Sequence, residues 1–463
     1  MSRWLLDRFT RHSSELVRLA APVIVSRAGA LMLTTVDIAM LGRVSAEAVG
    51  HYTLGTSPFI ILMVIGIGLQ QGVLVATSQH RGRERWGETG QVWRRGLPYA
   101  VLCGLVGFAL TTQGDHYFAL TGQDLDLIGP SASVTFWQGL GLVPMMLYIA
   151  TAFFLEGLGR PVPVLVAIWG ANLLNLVLNL WLIEGGLGLP ALGADGAAIA
   201  TTVARAAMAG ALILYVWRLS DHGALGVRLR PNPGWFSGGR RDRRYGYAAG
   251  LSLGFETGAF GVLALFAGWL GPQALAVYGI ANALLAMLFM AALGIATATG
   301  VRVGVAHGRG DGPDRALAGW VGFAWTMLAM GLFAVILHVL PGEVAAIYTN
   351  DPFLAVASVP AILLVGWLVC ADGGQVLVAN ALRAADDPWV PSIMAFFSYF
   401  VVMIPLGWYL GIRLERGVEG LYEGILIASV INAAILTLRW GWISLRGVRA
   451  APPPLTGGPP TRH

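Results

Sequence analysis

Three carboxylates stand inside apolar runs long enough to help span a bilayer: Asp37, Glu256 and Asp372. On insertion scales, an Asp at the centre of a membrane helix costs about 2.5–3.5 kcal/mol, so it normally faces a cavity or binds something. A carboxylate in that setting can hold a proton or a monovalent cation and release it again. One acid lies in the first half of the chain and two lie in the second. That placement implies the handling of cations by two related lobes.

Each acid has polar company. Asn172, Asn175 and Asn179 recur at spacings of three and four, which puts them on one face of a helix. Amides in lipid need partners. Asp37, the amide oxygens and a hydroxyl from Thr201 or Thr202 would form an oxygen-rich site for a proton or a hard cation. Asn172 reads instead as an interhelical clamp, typically worth ~0.6–2 kcal/mol. Ser252 precedes Glu256 by one turn, and Gln375 follows Asp372 by nearly one. Glu256 and Asp372 are therefore candidates to share a proton or to hold Na+. Arg27, ten residues before Asp37, reads as snorkelling to an interface, with pairing to a carboxylate as the alternative. Glu156, Glu184 and Glu423 read as solvated at span ends.

The elements that must position these groups are membrane helices. Hydrophobic residues make up 56% of the chain, charged residues only 12%, and the mean hydropathy is +0.68. A soluble domain carries roughly 25% charge. Twelve apolar segments are expected, near 16–41, 52–77, 96–113, 130–155, 162–184, 196–219, 247–270, 275–299, 316–340, 353–380, 390–411 and 421–443. All 30 basic residues are arginine, and they cluster in alternate loops: Arg81 to Arg95, Arg228 to Arg244, and Arg446 to Arg462. By the positive-inside rule both termini are cytoplasmic, and the even span count agrees. The loop charge explains the net +5 without any nucleic-acid partner. Cys103 and Cys370 lie in apolar segments and suggest neither a disulfide nor a metal framework. The first residues, MSRWLLDRFTRHSSEL, read as an amphipathic lead-in helix rather than a signal peptide.

The chain repeats itself. At an offset of 228, Gly66-Ile67 matches Gly294-Ile295, Gly72-Val73 matches Gly300-Val301, and Arg81-Gly82 matches Arg309-Gly310. Pro161 and Pro388 open equivalent spans. Six spans per half enter the membrane in the same sense, so the repeat axis lies along the membrane normal. The expected organisation is a cytoplasmic segment 1–15, a first lobe 16–219, a cytoplasmic linker 220–246, a second lobe 247–443 and a disordered cytoplasmic tail 444–463. The fold class is thus all-α and polytopic, with two parallel six-helix lobes around a central cleft. Prolines at 22, 58, 144, 360 and 405 invite bends. Pro22 is the candidate functional kink, because it shares a helix with Asp37.

These segments resemble the multidrug and toxic compound extrusion (MATE) family. The first span, LAAPVIVSRAGALMLTTVDIAMLG, is similar to the family's Ala-x-Pro, Val-Asp and Leu-Gly pattern. NLLNLVLNLWLIEGGLGLPALGADGAAIAT resembles its asparagine-bearing helix and the Gly-Ala-Ala-x-Ala-Thr start of the next. ADGGQVLVANALRAADDPWVP resembles its Asp, Gln and Leu-Arg pattern. The resemblance implies coupling roles for Asp37, Asn175, Asn179 and Thr201 in the first lobe. Acids in both lobes point to the NorM-like branch, with Glu256 and Asp372 in the second. One departure stands out: the family often has His-Gln in the eighth span, where Tyr278-Gly279 stands here.

No Walker-type phosphate loop and no His-Glu-x-x-His motif is present in the sequence. No cofactor and no enzymatic activity are expected. The implied function is a secondary antiporter in a bacterial-type inner membrane, exchanging cationic amphipathic compounds for Na+ or H+. Its partners would be small organic cations and the bilayer, with no obligate protein partner. The alternative is a flippase for lipid-linked or polyprenyl intermediates. That activity would line the cleft with arginine, whereas only Arg27 and Arg205 are basic well inside the expected spans, Arg18, Arg218 and Arg439 lying near span ends.

Overall fold

The computed structural model describes residues 3–186, 188, 190–229 and 234–449. The first lobe comprises α1 (Arg3–Leu41), α2 (Ala46–Gly82), α3 (Trp86–Thr111), α4 (Gly114–Leu120), α5 (Leu125–Leu140), α6 (Leu142–Gly157), α7 (Val162–Leu182) and α8 (Gly193–Trp217). Two short helices follow, α9 (His222–Leu225) and α10 (Trp235–Gly238). The second lobe comprises α11 (Arg240–Trp269), α12 (Pro272–Gly308), α13 (Gly312–Val339), α14 (Pro341–Tyr348), α15 (Pro352–Ala384), α16 (Trp389–Phe396), α17 (Ile404–Trp408) and α18 (Gly417–Arg449). Two π-helical stretches, Phe397–Met403 and Tyr409–Arg413, flank α17 and complete one span.

Eleven helices among the described residues are long and apolar enough to cross a membrane. They become twelve when α3 and α4, bent by 55°, are one span. Each lobe then has six. Local chemistry sets the boundaries. Ser45 caps α2 by accepting from the Ala48 N–H, and Asp351 caps α15 by accepting from that of Phe353. Proline stands in the first turn of α12, α13 and α15, where its missing N–H costs nothing. α1 runs through Pro22 without interruption, and the Ser26 hydroxyl donates to the Pro22 carbonyl at 2.7 Å.

Helix ends differ from the expected ones. α11 starts at Arg240, inside the expected linker, because the arginines there extend a helix beyond the apolar run. α18 continues to Arg449, past the expected start of a disordered tail. The rest of that tail, residues 450–463, lies outside the described residues, as do linker residues 230–233.

The lobes meet by the same pairing used twice: α1 packs on α12, and α2 packs on α11. Exchanging the lobes turns one pair into the other, as a parallel repeat requires. Close contact runs along the arginine-bearing ends. A Cβ at Gly68 would lie 2.5 Å from the Gly250 Cα, and one at Gly246 would strike the Leu69 carbonyl. Glycine at these positions lets two helix backbones touch. At the opposite ends α2 and α11 pack within their own lobes, through Gly55 on Val134 and Leu263 on Gly407. The first half of α1 crosses between the lobes: Leu16 and Ala20 are buried among α12, α13, α15 and α18 residues of the second lobe.

Candidate functional site

In the first lobe, Asp37 sits one turn from the end of α1 and is fully buried. Its Oδ1 accepts from Asn179 Nδ2 at 2.6 Å and Asn175 Nδ2 at 3.1 Å. Its Oδ2 accepts from the Tyr52 hydroxyl and the Thr201 hydroxyl, both at 2.5 Å. The amides stand one turn apart on α7, as their spacing requires. Thr201 rather than Thr202 turns inward, since Thr202 donates to the Trp137 carbonyl at 2.7 Å. Asn172 donates to the Gly29 carbonyl of α1 at 2.9 Å, the interhelical clamp its position suggests.

Sequence reasoning missed the second half of this network. Gln138 Nε2 donates to the Tyr52 hydroxyl oxygen at 3.0 Å, and Arg205 Nη1 donates to Gln138 Oε1 at 2.6 Å. The Arg205 guanidinium also covers the Phe59 ring at 4.2 Å. Four donors occupy the four acceptor positions of the Asp37 carboxylate. The two hydroxyls can turn from donor to acceptor, so a proton fits on Asp37 by hydroxyl rotation alone. A metal ion would have to displace a donor.

The second-lobe site is built differently. Asp372 on α15 is buried, and its Oδ1 accepts from Gln375 Nε2 at 2.5 Å. Gln375 Nε2 also donates to the Tyr399 hydroxyl oxygen at 2.7 Å, while Gln375 Oε1 accepts from Asn432 Nδ2 at 3.0 Å. Gln375 is thus a hub joining α15, the first π-helical stretch and α18. Glu256 on α11 is half-buried and lines a cavity with Gln375, Arg383, Tyr399 and Asn432. It lies within electrostatic reach of both Asp372 and Arg383. Arg383 donates to the Ser252 hydroxyl at 3.0 Å. Asn432 Oδ1 is buried with no hydrogen-bond partner. Two carboxylates and an unpartnered amide oxygen are the oxygen-only donor set that a hard cation such as Na+ takes. No group of three or more His, Cys, Asp or Glu able to hold a metal ion occurs among the described residues.

Three expectations are corrected. Glu156 is not solvated: it is buried, and Arg27 Nη2 pairs with its Oε2 at 3.2 Å. Arg27 therefore pairs with an acid 129 residues away instead of snorkelling. Basic residues within spans extend beyond Arg27 and Arg205, because α12 carries Arg302 and α15 carries Arg383. Both fall past the expected span ends at 299 and 380, which tracked hydropathy and not helix length. At the departure noted above, buried Tyr278 donates to the Phe260 carbonyl at 3.0 Å and stacks near Tyr422. It serves packing and is remote from the Gln375 hub in its hydrogen bonds.

The MatE family pattern matches residues 22–181 and 248–409, one block in each lobe. A relative from Caulobacter vibrioides, described as "Probable multidrug resistance protein NorM", is 36% identical over 441 residues, covering 94% of this chain and 93% of its own length. A protein of the same description from Mesorhizobium japonicum is 28% identical, with 94% of each chain covered. Among solved structures, the eukaryotic MATE transporter AtDTX14 superposes with a TM-score of 0.87 at 18% identity, over 96% of this chain and 99% of that one. An outward-facing multidrug resistance MATE family transporter superposes at 0.85 with 17% identity, over 95% and 97%. At such identities the structures establish the shared fold.

Proposed function

Because the chain belongs to the MatE family, we propose that it is a multidrug efflux antiporter of the bacterial plasma membrane, exporting small organic cations in exchange for Na+ or H+. The observation that carries this reading is the Glu256 carboxylate, half-buried on a cavity that Arg383 also lines and within electrostatic reach of Asp372. A site that must accept coupling ion and substrate in turn has to be reachable, and this one is. Arg383 supplies a fixed counter-charge, so an arriving cation meets a cluster already partly neutralised. Asp372 holds its orientation through Gln375, which Tyr399 and Asn432 lock in place. Ion occupancy there would reset the hydrogen bonds of α15 to the π-helical stretch, and π-helical turns commonly sit where a helix must re-form its contacts.

In the first lobe, Asp37, Asn175, Asn179 and Thr201 would handle a proton, since the saturated carboxylate admits one by hydroxyl rotation. The family transports; no enzymatic step and no cofactor is assigned to it here. Alternating access would rock the lobes about the α1–α12 and α2–α11 contacts. The arginine-bearing loops and the even number of spans support placing both termini in the cytoplasm. A flippase reading gains only Arg383, because Arg27 and Arg205 are engaged inside the first lobe and Arg302 is paired with Glu15 and His12.

The test is efflux of a fluorescent organic cation from proteoliposomes, driven separately by a sodium gradient and a proton gradient. Asp372→Asn and Glu256→Gln are each expected to abolish coupled efflux with expression retained. Normal coupled efflux by Asp372→Asn would sink its role. If neither gradient moved any cation, the flippase reading would take first place.

A further inference from the structure

We propose that the arginine-bearing face of the first lobe binds the phosphate headgroup of an anionic phospholipid, in a cavity formed by Arg18, Arg160 and Tyr215 around the Gly159–Pro161 turn. The cavity lies where the α6–α7 turn meets α1 and the end of α8. Arg81 reaches the same turn from α2. Its guanidinium carbon would lie 3.2 Å from a Cβ placed at Gly159, whose φ of +77° also favours glycine.

The charges there do not balance. Asp221 is the acid that engages Arg160, through two bonds of 3.0 and 2.5 Å. Arg81 has Arg160 and Arg309 as its charged neighbours, both of its own sign. Of the acids beside Arg81 in sequence, Glu84 is exposed on the α2–α3 turn, and Glu88, in the first turn of α3, is engaged by His80 and Arg85. Three arginines thus face one carboxylate.

The internal repeat shows that the matching positions of the second lobe are paired differently. Arg309, the counterpart of Arg81, is met five residues later by Asp314 at 2.5 Å; five residues after Arg81 stands Trp86. The turn before Pro388 reads Asp386-Asp387. Asp386 takes Tyr245 at 2.6 Å and Arg241 at 3.3 Å, and Asp387 takes Arg439 at 2.8 Å. The turn before Pro161 reads Gly159-Arg160 instead. In the second copy Arg309 is held by an acid, whereas in the first Arg81 has no acid partner among the described residues.

The location selects a lipid. Basic pockets between membrane helices on the cytoplasmic side take anionic headgroups. Val162, Val166 and Leu214 are exposed on the adjoining outer faces of α7 and α8, where acyl chains would lie. Tyr215 is an amphipathic side chain of the kind that sits at headgroup level.

The experiment is native mass spectrometry of the full chain in detergent, with phosphatidylglycerol or phosphatidylcholine added. Wild type is expected to retain phosphatidylglycerol in preference. Arg18→Gln should weaken that retention about fivefold, the equivalent of ~1 kcal/mol per arginine near an anionic lipid. Asp221→Asn frees Arg160 and should tighten it, a gain that mere loss of a structural contact would not give. Phosphatidylcholine retention should not change. Equal phosphatidylglycerol retention in all three proteins, or parallel loss of both lipids, overturns the site. Displacement of the lipid by millimolar inorganic phosphate overturns its assignment to a lipid and gives it to a soluble phosphate.

Discussion

Asp314→Asn should release the arginine-bearing face. Asp314 is 1% exposed, yet it accepts from Arg11 Nη2 and His12 Nε2 at 2.9 Å, Arg8 Nη1 at 3.2 Å and Arg309 Nη2 at 2.5 Å. Three of those donors belong to the start of α1 and the fourth to the end of α12. His12 in turn faces Arg302 at 2.8 Å, and Glu15 pairs with Arg302. One carboxylate therefore ties the first helix of the first lobe to the α12–α13 turn of the second. Asp311 fixes that turn by accepting from the Asp314 N–H at 2.9 Å.

A hydrogen bond to a charged group contributes ~1.5–3 kcal/mol. The Arg11 and Arg309 side chains are 44% and 42% exposed, so solvent screens most of their share. Arg8 and the buried His12 dominate what is left. Asparagine keeps the volume and one acceptor oxygen. The net loss is on the order of 2 kcal/mol, or ~30-fold in an equilibrium. The assay places spin labels at Trp86 and Leu445, both exposed and one in each lobe, after replacing Cys103 and Cys370 by serine. Double electron–electron resonance should show the longer, face-open distance gaining population about 30-fold over wild type, within the range the method resolves. Unchanged distances with a lowered melting midpoint would reduce the cluster to a fold staple and refute its part in gating. Unchanged distances and midpoint would refute both.

Tyr52→Phe removes one of two donors on Asp37 Oδ2 and strands Gln138 Nε2; the melting midpoint should fall by the equivalent of ~1.5–3 kcal/mol, and proton-driven efflux should slow in proteoliposomes. Glu156→Gln leaves Arg27 without its buried partner and should cost more stability than the double variant Glu156→Gln/Arg27→Met; denaturation midpoints of the full double-mutant cycle measure this. Gly246→Leu drives a side chain into the Leu69 backbone and should prevent the lobes from seating, seen as loss of monodisperse protein on size exclusion. Gly279→Ala meets nothing within 4 Å and should behave as wild type in the same measurement.

Much of the fold was legible because lipid enforces a simple grammar: apolar runs of span length, arginines on one side, and a repeat in register. The first-lobe site was legible for a local reason. Asn175 and Asn179 announce a shared face by their spacing, and an acid in hydrocarbon must answer to something polar. Tyr52 gave no such signal, since an aromatic near a helix start reads equally well as part of an interfacial belt. Arg27 and Glu156 each looked like a residue with access to water. Their pairing depends on the Arg27 side chain reaching from α1 to α6, which no local pattern specifies. The π-helical stretch that presents Tyr399 to Gln375 has no compositional mark at all; it packs against α11 and α18.

The repeat informs most where it fails. Two copies of one ancestral layout fold alike, so matching positions occupy matching places, and any difference in charge between them has been released from the needs of the fold. Asp37 is sealed under four hydrogen bonds, while in the second lobe Glu256 opens onto a cavity. A sealed carboxylate can exchange only what a hydroxyl rotation can pass; an open one can exchange an ion or an organic cation. Under the proposed function, this asymmetry would give the two lobes different cargo. This is why Gln375→Leu, which leaves Glu256 in place but unlocks Asp372, Tyr399 and Asn432, should impair sodium-driven efflux more than proton-driven efflux. Equal impairment of both would show that the two lobes work as one site.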